Sequence, residues 1–121
     1  MECGEPIHFE YVSTNTPTGA VLTLYRAGTT DTVALSGDTR NGLAISTLIA
    51  VSETSGTVTV YGGTGTSVPA GNTVAVGGFA ANGGLAVSFE TPRMLPPGVA
   101  LRVTGPGVCR VAGTGYLWRN V

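Results

Sequence analysis

The chain has 121 residues, of which 42% are hydrophobic and 11% are charged, and its formal net charge at pH 7 is -1. So small a charge creates no field that attracts nucleic acid. No apolar run reaches the roughly 18 residues that a membrane-spanning helix needs. These quantities exclude nucleic-acid and membrane partners, and the length predicts one domain with its own core.

The first six residues differ from the remainder. Residues 1–6 include two glutamates and have no apolar stretch, so we expect no secretory signal. Gly4 and Pro6 oppose both a helix and a central strand. We therefore predict an N-terminal arm without regular structure over residues 1–6, followed by a single domain over residues 7–121.

Short alternating segments rich in valine, threonine and aromatic residues recur along the chain, separated by glycine, proline, asparagine or aspartate. This pattern is typical of strands joined by turns. The predicted strands cover residues 7–12, 20–26, 32–35, 43–51, 56–61, 73–77, 85–90, 99–104, 108–112 and 115–118. Their spacing predicts an all-β fold, an antiparallel β-sandwich of jelly-roll type with eight to ten short strands.

One hairpin can be predicted in detail near the C-terminus. The apolar residues of 99–103 share one strand face, as do those of 109–111. A pairing that puts both sets on the same side leaves 105–107 as a three-residue loop. This register places Arg102 opposite Arg110, which is unfavourable for like charges. Either the two side chains splay into solvent, or an acidic or carbonyl-rich partner faces them.

The two cysteines, Cys3 and Cys109, are separated by almost the whole chain. A disulfide between them would fasten the predicted arm to a late strand. Without an export signal, two reduced thiols are the alternative, because disulfides are rare in the cytosol. The sequence leaves the choice open.

Residues suited to catalysis are few. His8 is the only histidine and shares a predicted strand face with Glu10, which allows either an oriented general base or an ordinary surface pair. A structural zinc site needs about four cysteine or histidine ligands, more than this chain has. A phosphate-binding loop needs a lysine, and the sequence has none. We predict a protein that is not an enzyme and has no catalytic residues, metal or cofactor.

The absence of lysine from the sequence is also relevant to whether the chain assembles with other chains. A β-rich chain has many strand edges, and lysine is a common device that prevents these edges from pairing with other chains. Tyr116 and Trp118 alternate on the last predicted strand, where they either stack on a glycan or pack at a protein interface. We predict an assembly protein whose partner interface includes Tyr116, Trp118, Arg102 and Arg110.

Five segments of the chain are similar in character to segments of a known class of protein. They are the predicted strands 43–51 and 56–61, the glycine-rich passage 62–84, and the segments 95–103 and 113–118. Because of these segments, residues 40–121 resemble the small β-sandwich or jelly-roll virion proteins of tailed bacteriophages, above all the capsid decoration (cement) proteins.

The resemblance implies a homotrimer on the outer capsid surface of the virion, made in the host cytoplasm. There it would clamp neighbouring copies of the major capsid protein. The alternative is a carbohydrate- or receptor-binding β-sandwich module of a phage tail or surface protein. A small enzyme built on His8 and Glu10 is a third class.

Overall fold

A computed structural model describes residues 2–13, 15–33, 41–66 and 71–119 of the chain. These residues form ten strands and no helix. The strands are β1 (Glu2–Val12), β2 (Ala20–Val21), β3 (Thr23–Arg26), β4 (Thr32–Val33), β5 (Asn41–Ser52), β6 (Gly56–Gly63), β7 (Thr73–Phe79), β8 (Gly83–Leu95), β9 (Ala100–Thr104) and β10 (Cys109–Arg119). In these ranges no helix is long and apolar enough to cross a membrane.

The strands form two antiparallel sheets. The larger sheet has the order β4-β3-β1-β10-β5-β8, and the smaller sheet has the order β2-β9-β6-β7. Strand β10 lies at the centre of the larger sheet and pairs along most of its length with both β1 and β5. The antiparallel β-sandwich predicted from the sequence is confirmed.

The hydrophobic core lies between the two sheets. Alternate residues of each strand are buried there, including Ile7 and Phe9 from the larger sheet and Val60 and Val103 from the smaller one. Tyr61 is the largest fully buried side chain among the described residues but lies outside this core cluster, and its hydroxyl donates a hydrogen bond to the carbonyl of Gly65 at 3.1 Å. The alternation thus places the apolar half of each strand inside, as expected for a sandwich.

Most strands extend beyond their predicted ends, and the structure also divides one predicted strand and joins two others. The predicted strand 20–26 is divided at Leu22, where the chain passes from the smaller sheet to the larger one. The predicted strands 108–112 and 115–118 are one strand, because Gly113 continues the ladder between them. Of the predicted strand 32–35, residues 34 and 35 lie outside the described residues.

The predicted hairpin at residues 105–107 is wrong. Strand β9 pairs with β2 and β6, whereas β10 pairs with β1 and β5. Val103 therefore lies opposite Val60, and Cys109 lies opposite Ser52. Residues 105–108 connect the two sheets. The apolar faces of the two sheets pack against each other and form one core.

The predicted arm is also corrected, because residues 2–6 belong to β1. The register shifts between Cys3 and Pro6, and such an irregularity accommodates a proline, which has no N–H for the ladder. The carbonyl of Pro6 accepts a hydrogen bond from the amide of Ala27 at 3.1 Å. The Glu5 carboxylate lies 2.8 Å from the guanidinium of Arg26. Regular structure therefore begins before residue 7.

The register also separates the two cysteines. Cys3 lies opposite Trp118, at the far end of β10 from Cys109. Nine residues of strand amount to roughly 30 Å, well beyond the reach of a disulfide. Cys109 is a buried free thiol whose sulfur donates to the carbonyl of Gly107 at 3.2 Å. Burial raises the pKa of the neighbouring Tyr11 phenol above its ordinary value, and the Cys109 thiol adds to this shift.

We expect Gly113→Ala to destabilise the fold. A Cβ at residue 113 would lie 2.5 Å from Cζ of Phe9 and would also clash with the carbonyl oxygen of Thr47. Overpacking of this kind costs about 1–3 kcal/mol, which urea unfolding would measure. Gly65→Ala is the control, since a Cβ there has no neighbour within 4 Å, and its effect should stay within about 0.5 kcal/mol. Equal stability of the two variants would contradict the packing argument.

Candidate functional site

A groove crosses the outer face of the larger sheet, over strands β1, β10, β5 and β8. Its volume is about 570 Å³, which lies within the range of small-molecule binding sites. Two neighbouring levels of outward side chains line it, and each level contains one residue from each of the four strands. The groove is therefore built from four sequence segments that only the sheet pairing brings together.

The first level, called here the polar row, consists of His8, Thr114, Thr47 and Ser88. Each of these residues lies directly opposite the next across the sheet. The hydroxyl oxygens of Thr47 and Thr114 are 2.7 Å apart, and the Thr114 amide donates to the Thr47 hydroxyl at 3.2 Å. The His8 ring stacks on Tyr25, with ring centroids 5.2 Å apart. The polar row thus offers three hydroxyl groups and an imidazole to a ligand.

The second level, called here the apolar row, consists of Glu10, Ala112, Ile49 and Ala86 in the same strand order. Ile49 is 52% exposed, a large fraction for an isoleucine. The two alanines, on β10 and on the edge strand β8, are small, and Ile49 lies between them. Glu10 ends this row with an exposed carboxylate. The groove therefore has a polar side, an apolar side and one negative charge.

His8 and Glu10 share one strand face, as the alternation predicts, and both line the groove. Neither is part of a metal site: among the described residues, no group of three or more histidine, cysteine, aspartate or glutamate side chains could hold a metal ion. Sequence reasoning missed the other groove residues. Alternation indicates which face each of them occupies, but it does not indicate which strands lie side by side.

The predicted interface residues Tyr116 and Trp118 share the outer face of β10, while Leu117 between them is buried. Both aromatic side chains are half-buried. The indole Nε1 of Trp118 donates to the carbonyl of Leu95 at 3.1 Å. A Cβ on Gly42 would clash with the indole ring, so the ring lies directly over that glycine. Trp118 is thus partly engaged within its own chain.

The two arginines of the predicted interface lie on different sheets. Arg102 is on β9, opposite Val21 and Tyr61, and Arg110 is on β10, opposite Val12 and Val51. Their predicted cross-strand pairing is therefore wrong, for the reason given for the hairpin. The four residues of the predicted interface do not form one cluster.

Arg102 has an intramolecular role. Its guanidinium donates to the carbonyl of Gly63 at 3.1 Å and to the carbonyl of Gly19 at 2.7 Å. These bonds join the end of β6 to the turn before β2. Arg110, in contrast, is exposed on the outer face of the larger sheet.

The edges of the two sheets are the second candidate surface. The two sides of the sandwich differ in the length of their edge strands. On one side the edge strands β2 and β4 have two residues each among those described. On the other side the edge strands are β7, with seven residues, and β8, with thirteen. Residues 54–89, which include all of β7 and the first half of β8, contain no charged residue.

Part of β8 is protected by an irregularity. Ser88 lies opposite Thr47 and Arg93 lies opposite Ile45, so four residues, 89–92, face the single residue Ser46 of β5. Bulges of this kind hinder further strand pairing. The unprotected edge is therefore β7 together with residues 83–88.

Comparisons of the chain with protein-family models, with curated proteins and with solved structures gave no match.

The two arginines provide a matched test of these roles. Arg102→Ala should lower the free energy of unfolding by about 1.5–3 kcal/mol, because hydrogen bonds from a charged donor to two carbonyls are lost. Arg110→Ala should change it by less than about 0.5 kcal/mol, as for other surface substitutions. Thermal and urea unfolding of both variants would measure the difference. A larger loss in Arg110→Ala would contradict the assignment.

Proposed function

We propose that this protein is a structural virion protein of the capsid-decoration type. On this proposal it forms a homotrimer on the outer capsid surface and stabilises contacts between major capsid proteins. The observation that carries the proposal is the long, uncharged strand edge on one side of the sandwich. The resemblance of residues 40–121 to capsid decoration proteins supplies the capsid as the partner.

The uncharged edge supports self-association, because an exposed edge strand without a partner can pair with other chains and aggregate. Soluble β proteins protect their edges with short strands, charged side chains, prolines or bulges. The β2 and β4 edges are short, and β8 is bulged at 89–92. Strand β7 is seven residues long and contains neither a charged residue nor a proline. A second protein chain that pairs with this edge accounts for the missing protection.

The position of the two edges supports contacts between copies of the chain. Strands β7 and β8 follow one another in the chain and lie at the same side of the sandwich, but in different sheets. Pairing β7 of one copy with the first half of β8 of another joins two unlike surfaces. Contacts between unlike surfaces repeat from copy to copy and close into a ring where the rotation allows it. Two copies that exchange β7 and β8 in both directions satisfy the same pairing, so the number three rests on the resemblance of residues 40–121 to capsid decoration proteins.

Assembly of this kind has a low entropy cost for the side chains at the interface. Threonine, valine, alanine and glycine lose little rotamer entropy when they are ordered, in contrast to lysine or arginine. Residues 73–79 consist of these types and one phenylalanine. A β7 interface would therefore rest on backbone hydrogen bonds and apolar contact, with a low entropy cost.

Charge placed on the β7 edge should dissociate the trimer. Val76 is 57% exposed on β7, and Val21 is 52% exposed on β2, the opposite edge of the same sheet. We expect Val76→Lys to yield monomers by light scattering, because a lysine on an edge strand hinders pairing with another chain. Val21→Lys should remain trimeric. A wild-type protein that is monomeric at micromolar concentration, or equal effects of the two variants, would contradict the β7 interface.

The capsid partner requires a separate test. The chain should be expressed together with the major capsid protein encoded in the same phage genome, and the assembled shells sedimented. We expect the chain to sediment with the shells and to raise the temperature at which they disrupt. Shells that neither retain the protein nor gain stability would overturn the decoration role, whatever its oligomeric state.

A further inference from the structure

We propose that the groove across the larger sheet binds a neutral oligosaccharide. This inference goes beyond the decoration role and uses a different surface, since the groove lies on a sheet face and the assembly contact lies on strand edges. The argument rests on the arrangement of the polar row and the apolar row.

The two rows match the two-sided character of a sugar ring. A pyranose presents hydroxyl groups around its rim and C–H groups on its faces. The polar row offers the hydroxyls of Thr114, Thr47 and Ser88, which both donate and accept hydrogen bonds. The apolar row lies next to it and offers Ile49 and two alanines for contact with C–H groups. A ligand with both kinds of surface is favoured over a purely apolar one.

The single charge of the groove argues against an anionic ligand. Among its lining residues Glu10 is the only one with a full charge, and neither arginine nor lysine is present. A carboxylate accepts hydrogen bonds from sugar hydroxyls, and such charge-assisted bonds are strong. The same carboxylate repels uronic acids, sulfates and phosphates. Acidic glycans are therefore disfavoured.

The backbone of the sheet argues against an extended peptide as the occupant. The amides and carbonyls of β1, β10 and β5 are used in ladders on both sides of each strand. A peptide lying on this face would find side-chain groups but no free backbone edge with which to pair. A ligand whose polar groups are hydroxyls meets the available donors and acceptors better.

The length of the groove fits more than one sugar unit. The polar row crosses four strands, hence three inter-strand spacings of about 4.8 Å, or about 14 Å in all. His8 forms one end of this row, and its ring is stacked on Tyr25. A short linear oligosaccharide that runs across the strands would contact both rows along its length.

The test is a titration of the full chain with neutral trisaccharides (maltotriose, cellotriose, mannotriose and chitotriose), with trigalacturonic acid as the charged comparison. Binding would be followed by the NMR signals of the His8 ring and the Thr114 amide. Thr114→Val keeps the shape and removes one hydroxyl, and Ala86→Tyr fills the apolar row. Thr57→Val is the matched control, because Thr57 is an exposed threonine on β6 of the other sheet.

We expect saturable shifts of both signals with at least one neutral trisaccharide. Thr114→Val should weaken binding by up to about tenfold, as expected for one neutral hydrogen bond. Ala86→Tyr should abolish binding, and Thr57→Val should leave it unchanged. Thermal melts of each variant would confirm that the fold is retained.

Three results would overturn the proposal. One is that no neutral trisaccharide shifts either signal at millimolar concentration, or that the acidic one binds best. Another is that Thr57→Val weakens binding as much as Thr114→Val. The third is that the groove signals shift with protein concentration alone, which would show that a second copy covers this face. None of these results depends on Val76→Lys, so failure here is distinct from failure of the β7 interface.

Discussion

The close pairing of β10 with its two neighbours is the constraint on which the larger sheet depends. Gly113 has no side chain, and the ring of Phe9 occupies the space where a Cβ would lie. At Gly115 the carbonyl of Ala44 approaches in a similar way. Larger residues at these positions would separate β10 from the ring beneath it or from β5. The long central strand and the core packed on it therefore require small residues in the middle of the sheet.

The outer face of β10 also has small side chains beside Gly113. Ala112 and Thr114 flank Gly113 and point outward, and both are small. Larger side chains stand around them, among them the stacked pair of His8 and Tyr25. These small side chains and the larger ones around them form the groove, so its concavity lies on the sheet face itself.

Alternation in the sequence was enough to identify the strands and the sandwich, but not to assign strands to sheets. Val103 and Cys109 illustrate the limit. Both face the core, which the alternation of β9 and β10 predicts, yet they reach it from opposite sheets. In a sandwich the inner faces of both sheets are apolar, so the pattern fits a hairpin within one sheet and a connection between two sheets equally well. Only the long-range pairing distinguishes them.

The groove could be predicted only in part for the same reason. The shared face of His8 and Glu10 follows from their spacing of two. Thr47, Ser88 and Thr114 come from distant segments, and nothing local indicates that their strands are neighbours. The missing lysines and the uncharged segment 54–89, in contrast, are visible in the sequence. The structure adds that β7 and the first half of β8, which belong to this segment, form the long edge at one side of the sandwich.

The two proposed surfaces are compatible because strand pairing acts within the plane of a sheet. A neighbour that pairs with residues 83–88 of β8 would extend the larger sheet sideways and leave its outer face accessible. Ser88 and Ala86, which line the groove, point out from that face rather than along the edge. Because the neighbour contributes β7, the outer face of its smaller sheet, and not its own groove, would lie beside the groove.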